Sequence, residues 1–151
     1  MSCKSCELVA RRDRGEAPSW DDIWRTPHWD VVHSYDTSHE GWLVLVLRRH
    51  LTSVAQLTED EAVDLGQLVR NVSGAIEHVL GCHRTYVVEF AENPKHDHVH
   101  VHVIARPDDL IPRLRGPGIF VKLGVPKSER VPEPRMDAIA VGVRAELSSR
   151  V

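Results

Sequence analysis

Histidine and an apolar residue alternate along residues 98–104, where the sequence reads HVHVHVI. Four of the ten histidines lie between His96 and His102. Because successive side chains of a β-strand point to opposite faces, His98, His100 and His102 share one face and the valines share the other. Valine favours strands, and this alternation has the strand period. We therefore expect a strand with three imidazoles on one face and an apolar face towards the core.

Three imidazoles on one face suit more than one chemistry. A neutral imidazole is a nucleophile near neutral pH, and the histidines on either side of His100 could fix its tautomer and bind anionic oxygens. Three alternating histidines could instead bind a catalytic zinc ion, with Asp97 as the carboxylate beside them. The strand could also be merely exposed and rich in histidine.

Length and composition are ordinary for one globular domain, which we expect over residues 1–151. Hydrophobic residues make up 42% of the chain and charged residues 27%, enough to bury a core. The formal net charge of −3 gives no general field for polyanions, so we expect no nucleic-acid partner. No segment has the length and apolarity of a membrane span or a signal peptide, which predicts a cytoplasmic protein without a membrane partner. Three cysteines, an odd number, argue against a disulfide framework.

The order of predicted elements indicates an α+β fold. Thr58 and Glu61 form a capping box before a run of apolar residues at helical spacing, and Gly81 follows that run. A long helix is therefore predicted over about 58–80. Strands are predicted at residues 29–35, 42–47, 85–90 and 98–105. Strands on both sides of one long helix predict an antiparallel meander.

The two ends of the chain are less regular. Residues 11–16 are charged and are predicted to be solvated, and residues 20–24 fit either a short strand or a turn of helix. Prolines and glycines break the extension, residues 107–151, before a predicted helix at 136–147.

The alternating segment matches the histidine triad (HIT) motif, His-x-His-x-His-x-x with apolar x, position for position. Ala105–Pro107 resembles the segment that follows the motif in that family, and residues 41–50 resemble the preceding strand. The likeness covers roughly residues 28–106, which it implies as the core of the domain. It implies a HIT-like antiparallel sheet, a homodimer, and a small-molecule nucleotide substrate such as an AMP conjugate.

The resemblance also implies a reaction. His100 would attack the α-phosphorus and carry a nucleotidyl group until water releases a nucleoside monophosphate, while His102 contacts phosphate oxygens and His98 supports the site. This predicts a nucleotide hydrolase that cleaves P–N in a nucleoside phosphoramidate, which we prefer, or P–O–P in a dinucleoside polyphosphate. A nucleotidyltransferase with the same intermediate, a non-catalytic nucleotide-binding module and a zinc-dependent interaction protein are the alternatives.

A second site involves the first cysteines. Alone, Cys3-x-x-Cys6 fits a reduced pair on a mobile terminus, a redox pair or half of a metal site. Many bacterial HIT proteins combine such a pair with two histidines around zinc, and the matching residues here are His50 and His98. The resemblance therefore implies a closed, structural zinc site and no organic cofactor. Cys82 is expected to be unreactive.

The nucleoside site departs from the family pattern. Ser34 falls where the family has an acidic residue that contacts the ribose, and Asp36 could replace that residue only if the loop shifts. Tyr35 is either a wall for the base or a core residue. Trp42 stands where the family usually has histidine, and we expect it to pack in the core.

The loop before the triad departs as well. The family often has Gly-Gln-Ser/Thr there, whereas residues 92–97 read ENPKHD. Lys95 could bind phosphate or be solvated, and His96 could be an acid for the leaving group or a surface residue. The predicted catalytic residues are His100, His98, His102 and His96, and the predicted substrate contacts are Lys95, Tyr35, Ser34 and Asn93.

The extension carries several cations before its predicted helix, namely Arg113, Arg115, Lys122, Lys127 and Arg130. These cations could approach the active site. We prefer the alternative, in which the extension is solvated and braces a dimer.

Overall fold

A computed structural model describes residues 2–150 and contains one antiparallel sheet. Its strands are β1 (Trp24–Arg25), β2 (Trp29–His33), β3 (Trp42–Leu47), β4 (Arg84–Val88) and β5 (His100–Arg106). The order across the sheet is β1-β2-β3-β5-β4, and the helices are α1 (Lys4–Asp13), α2 (Glu59–Leu80) and α3 (Glu133–Arg150). The predicted α+β class is confirmed. Within residues 2–150, no helix is both long and apolar enough to cross a membrane.

The capping residues define the long helix α2 as predicted. The Thr58 hydroxyl accepts a hydrogen bond from the backbone N–H of Glu61 at 3.2 Å, and the Glu61 carboxylate accepts one from the N–H of Thr58 at 2.8 Å. At the other end Gly81 has φ +68°, a left-handed conformation that glycine adopts without a steric penalty. Both ends of α2 are therefore encoded locally.

Several strand ends differ from the prediction. β2 ends at His33, because the chain turns at the next residue, and β4 ends at Val88, two residues early. β5 begins at His100; His98 lies in a turn just before it, where its backbone N–H bonds to the carbonyl of His96. Residues 20–24 were expected to form either a short strand or a turn of helix. They contain both, because a 3₁₀ turn ends at Asp21 and β1 begins at Trp24. α3 is longer than the predicted helix at both ends.

The two faces of the sheet have different coverings. Val99, Val101 and Val103 are buried in the main core together with residues of α2 and α3, as their alternation predicted. On the opposite face, the side chains of His100 and His102 face a cavity, and α1 covers neighbouring valines there. The histidine face therefore forms the floor of a site instead of a solvated surface.

Residues 13–16 are exposed, as predicted, but Arg12 in the N-terminal helix α1 is buried. Arg12 is only 3% exposed, and its guanidinium donates hydrogen bonds to Asp21 at 3.0 Å and to Asp30 at 3.1 Å. A buried guanidinium needs such partners, since an unpaired buried charge costs several kcal/mol. This ion cluster fastens α1 to β2 and to the 3₁₀ turn before β1.

The C-terminal extension is packed on the protein and does not form a solvated tail. Ile139, Val143 and Leu147 of α3 belong to the main hydrophobic core, together with residues of the sheet and α2. Before α3, a 3₁₀ segment brings Ile119 and Phe120 onto the histidine face of the sheet. The extension thus contributes to both faces.

Candidate active site and metal centre

Cys3, Cys6, His50 and His98 converge at the start of α1, with their ligand atoms all within 4.8 Å of one another. Nδ1 of His98 lies 3.5 Å from each sulfur and 3.3 Å from Nδ1 of His50. A tetrahedral zinc ion with its usual bond lengths separates sulfur and nitrogen ligands by roughly 3.3–3.6 Å. The geometry therefore fits a closed, structural zinc site.

The protonation of His98 fits the same role. Its Nε2 lies 2.6 Å from the carbonyl of Leu47 and must carry the proton there, so Nδ1 presents a lone pair to the cysteines. Burial and the neighbouring Cys3 raise the pKa of the Cys6 thiol to about 11, so a Cys6 thiolate here requires a cation. His98 contributes a metal ligand and does not line the cavity next to His100.

A cavity of about 380 Å³ lies over the histidine face of the sheet. Of the predicted site residues, those that line it are His96, His100, His102, Ser34, Tyr35 and Asn93. Lys95 does not line it: its side chain is exposed, and its backbone carbonyl accepts a hydrogen bond from the N–H of Lys4. The prediction that Lys95 binds phosphate is therefore not met by its position.

A backbone hydrogen bond fixes the tautomer of His100. Its Nδ1 lies 2.7 Å from the backbone carbonyl of His98, an acceptor only, so Nδ1 carries the proton. The lone pair is then on Nε2 of a half-buried ring that lines the cavity. This tautomer is the nucleophilic one for a ligand in the cavity.

His102 has the opposite tautomer, and Trp42 sets it. The indole Nε1–H of Trp42, which can only donate, lies 2.9 Å from Nδ1 of His102. His102 therefore accepts at Nδ1 and carries its proton on Nε2. Burial, with the neighbouring His100, lowers the pKa of His102 to about 3, so the ring is neutral at neutral pH. Trp42 is buried, as expected, but also positions this histidine.

His96 lies inside the site instead of on the surface. Its Nδ1 is 2.8 Å from the hydroxyl of Ser5 in α1, and its Nε2 is 3.1 Å from the hydroxyl of Tyr35. Its ring centroid is 6.2 Å from that of His100. Burial and the neighbouring His100 lower the pKa of His96. Ser5 was not predicted, because its partner lies 91 residues away in the sequence.

Asp36 lies in the site together with Ser34, which was the predicted substrate contact. Ser34 is 7% exposed, and its hydroxyl donates to Asp36 at 3.2 Å, while both residues line the cavity. Thr37 and Leu123 form an isolated β-bridge, and the carbonyl of Asp36 accepts from the N–H of Val125. The extension therefore holds this loop beside the cavity, an arrangement that local sequence could not predict.

Comparison with solved structures identifies the fold. No family model matches the chain, and no curated protein matches it. A Hit-like protein involved in cell-cycle regulation from Bartonella henselae superposes with a TM-score of 0.69 at 15% identity, over 92% of this chain and 94% of that chain. A Zn-bound histidine triad family protein from Mycobacterium smegmatis gives 0.67 at 17%, over 99% and 95%. This chain has the histidine triad fold.

The histidine triad likeness extends to a third structure. A hypothetical histidine triad nucleotide-binding protein from Sulfolobus tokodaii superposes with a TM-score of 0.70 at 13% identity, over 95% of this chain and 93% of that chain. All three superpositions include the N-terminal and C-terminal regions outside the predicted core. The histidine triad fold therefore accounts for nearly the whole chain, and the sequence resemblance is confirmed at the level of fold.

Proposed function

We propose that this protein is a nucleotide hydrolase that cleaves a bond to the α-phosphorus of a nucleotide conjugate through a nucleotidyl-His100 intermediate. One observation supports this most strongly: His100 and His102 are neighbours with ring centroids 5.1 Å apart and opposite tautomers. One ring offers a lone pair to phosphorus, and the other offers an N–H to a phosphoryl oxygen.

The reaction takes place in two displacements. Nε2 of His100 attacks the α-phosphorus, the bond to the leaving group breaks with its electron pair, and the leaving atom takes a proton from the imidazolium form of His96, which the water of the second step protonates again. Water then attacks the phosphorus of the nucleotidyl-histidine and restores free His100, releasing a nucleoside monophosphate. Nε2–H of His102 donates to a phosphoryl oxygen in both steps.

The nucleoside would lie on the β2–β3 side of His100. Val32, Val44 and Val46 form an apolar floor there, and Tyr35 supplies an aromatic side chain for the base. The Asp36 carboxylate can accept hydrogen bonds from ribose hydroxyls. Asp36, two residues after the position expected from the family pattern, takes the role for which Ser34 was a candidate.

A P–N bond suits the charges of the cavity better than a P–O–P bond. Among the described residues that line the cavity, Arg12 is the only lysine or arginine. Its guanidinium already pairs with Asp21 and Asp30. A dinucleoside polyphosphate would bring further negative charges without a free cation to meet them. A leaving amine also needs the proton that His96 can supply.

The four residues Cys3, Cys6, His50 and His98 would hold a structural zinc ion. When bound, the zinc fixes the start of α1 and the backbone of His98, whose carbonyl orients His100. The homodimer and the cytoplasmic location stay predictions.

Product analysis of adenosine 5′-phosphoramidate and diadenosine triphosphate, with wild type and His100→Ala, tests this function. We expect wild type to release AMP, faster from the phosphoramidate, and the variant to lose at least about a thousandfold in rate. AMP that binds wild type without turnover of either substrate would instead support a non-catalytic module. Equal rates in the variant would exclude His100 as the nucleophile.

A further inference from the structure

Two arginines stand opposite each other where β5 ends, on the histidine face of the sheet. Arg84 of β4 and Arg106 of β5 are cross-strand partners, so their side chains share one face, which is also the face of His102. Tyr86, two residues after Arg84, shares that face as well. Because like charges directly opposite each other in a sheet repel, this arrangement favours a bound anion.

The extension adds a third arginine at the same place. The backbone N–H of Gly116 donates to the phenol oxygen of Tyr86 at 3.0 Å, which holds the neighbouring Arg115 beside β4. Burial raises the pKa of Tyr86, but the N–H of Gly116 and the guanidinium groups of Arg106 and Arg115 outweigh burial and lower this pKa overall. Both guanidinium groups therefore lie close to the phenol oxygen. Arg84, Arg106, Arg115 and Tyr86 are called the arginine cluster below.

No carboxylate balances the charges of the arginine cluster. Within residues 2–150, its three arginines form no salt bridge. The carboxylate of Asp108, two residues after Arg106, pairs with His83 at 2.6 Å instead. The arginine cluster therefore carries a net positive charge on a protein whose formal net charge is −3.

The arginine cluster also has hydrogen-bond donors without acceptors. Nε of Arg106 is buried and has no partner within residues 2–150. The phenol oxygen of Tyr86 accepts from Gly116, and the structure gives its own O–H no acceptor in the same range. Because a buried donor without a partner costs free energy, a ligand that brings acceptor oxygens would stabilise this arrangement.

The arginine cluster is separate from the catalytic cavity. None of its residues lines that cavity. Arg106 follows His102 by four residues, which is roughly 13 Å along an extended strand. Ile104 lies between them on the same face and is covered by apolar side chains of the extension. An anion on the arginine cluster is therefore distinct from a phosphoryl group next to His100.

We propose that the arginine cluster binds a phosphate dianion, either as free phosphate or as the phosphate of a monoester. Three cations attract a dianion more strongly than the single charge of a carboxylate. A guanidinium group can present two parallel N–H donors to two phosphate oxygens, and the O–H of Tyr86 can donate to another oxygen. The proposal does not depend on the proposed function, because it uses none of the residues of the cavity.

Titration with phosphate, followed by heteronuclear NMR with sodium chloride at equal ionic strength as the reference, tests this site. We expect phosphate to shift the amide of Gly116 in wild type. Arg84→Gln should raise the Kd about tenfold, the effect of one charge-assisted hydrogen bond. Arg70→Gln is the matched control, since Arg70 is also exposed but lies on α2, and it should keep the wild-type Kd.

A parallel titration with methyl phosphate distinguishes the two sources of the ligand. Tighter binding of methyl phosphate would assign the site to a phosphate monoester, and tighter binding of inorganic phosphate would assign it to the free ion. The side chain of Arg84 is exposed, so Arg84→Gln should fold, and thermal denaturation checks this. Phosphate should raise the Tm of wild type more than that of Arg84→Gln.

Three outcomes would overturn the inference. The first is a set of phosphate shifts confined to amides of the catalytic cavity, such as those of Ser34 and Asn93. The second is an equal Kd for wild type and Arg84→Gln. The third is an equal rise of the Kd in Arg84→Gln and Arg70→Gln, which would show a general effect of protein charge. None of these outcomes bears on the nucleotidyl-His100 intermediate.

Discussion

At the scale of single residues, hydrogen bonds give each triad histidine a different state. His98 donates from Nε2, His100 donates from Nδ1 and His102 accepts at Nδ1. The alternation of histidine and valine predicted the strand and its two faces. It could not predict the three states, because the partner of His102, for example, is 60 residues away in the sequence.

Trp42→Phe tests the role of the indole in positioning His102. The variant keeps an aromatic ring in the core but removes the donor, so His102 is no longer restricted to the Nε2–H tautomer. We expect kcat to fall by about tenfold with KM changed by less than about twofold. Trp20→Phe is the control, because Trp20 is also buried but its indole N–H has no partner within the described residues. Similar kinetics for the two variants would remove this role from Trp42.

His33 predicts a pH dependence of stability. Burial lowers the pKa of His33 from 6.5 to about 4, so below pH 6.5 the unfolded chain binds a proton that the folded chain rejects. The contribution of His33 to the free energy of unfolding therefore decreases by about 1.4 kcal/mol for each pH unit as the pH falls from 6.5 to 4. Urea titrations of His33→Gln should show a shallower dependence than wild type. A His33→Gln slope equal to wild type would contradict the account.

At the scale of elements, α1 connects the metal centre with the cavity. Cys3 caps its N-terminus, Cys6 lies in its first turn, and its side chains Ser5, Leu8 and Arg12 line the cavity. The sequence pattern did not predict this helix, and the charged stretch 11–16 that was expected to be solvated includes the buried Arg12. Long-range ion pairs decide its burial, whereas the local capping box was sufficient to predict α2.

Arg12→Leu should destabilise the protein by about 3 kcal/mol, because it leaves Asp21 and Asp30 buried with one cation fewer. Arg14→Leu provides a matched control in the same segment, since the Arg14 side chain is 57% exposed. We expect the control to lie within about 0.5 kcal/mol of wild type in urea denaturation. Equal free energies of unfolding for the two variants would show that the ion cluster does not hold α1.

At the scale of the whole molecule, residues from both ends of the chain complete one site. Ser5 and the metal ligands Cys3 and Cys6 come from the first residues, and Phe120 and Leu123 come from the extension. The resemblance to histidine triad proteins predicted the four zinc ligands. The extension was mispredicted, because its prolines and cations suggested solvation while its apolar side chains determine where it packs.

Loss of the zinc site should loosen the end of the molecule around α1. Cys6→Ser should bind little zinc and unfold at a temperature lower by about 10 °C, and the amides of α1 should exchange faster than those of α2. Cys82→Ser, which changes a cysteine outside the cluster, should retain zinc. Metal analysis, thermal denaturation and hydrogen exchange measure these effects; unchanged zinc content in Cys6→Ser would show that Cys6 is not a ligand.

The stereochemical course at phosphorus tests the central claim, the nucleotidyl-His100 intermediate, most directly. A single diastereomer of an adenosine 5′-phosphoramidate with sulfur in place of one phosphoryl oxygen would be hydrolysed in ¹⁸O-labelled water. Two in-line displacements, first by His100 and then by water, invert the phosphorus twice and predict net retention of configuration. Net inversion would mean that water displaces the leaving group directly, and it would contradict the account.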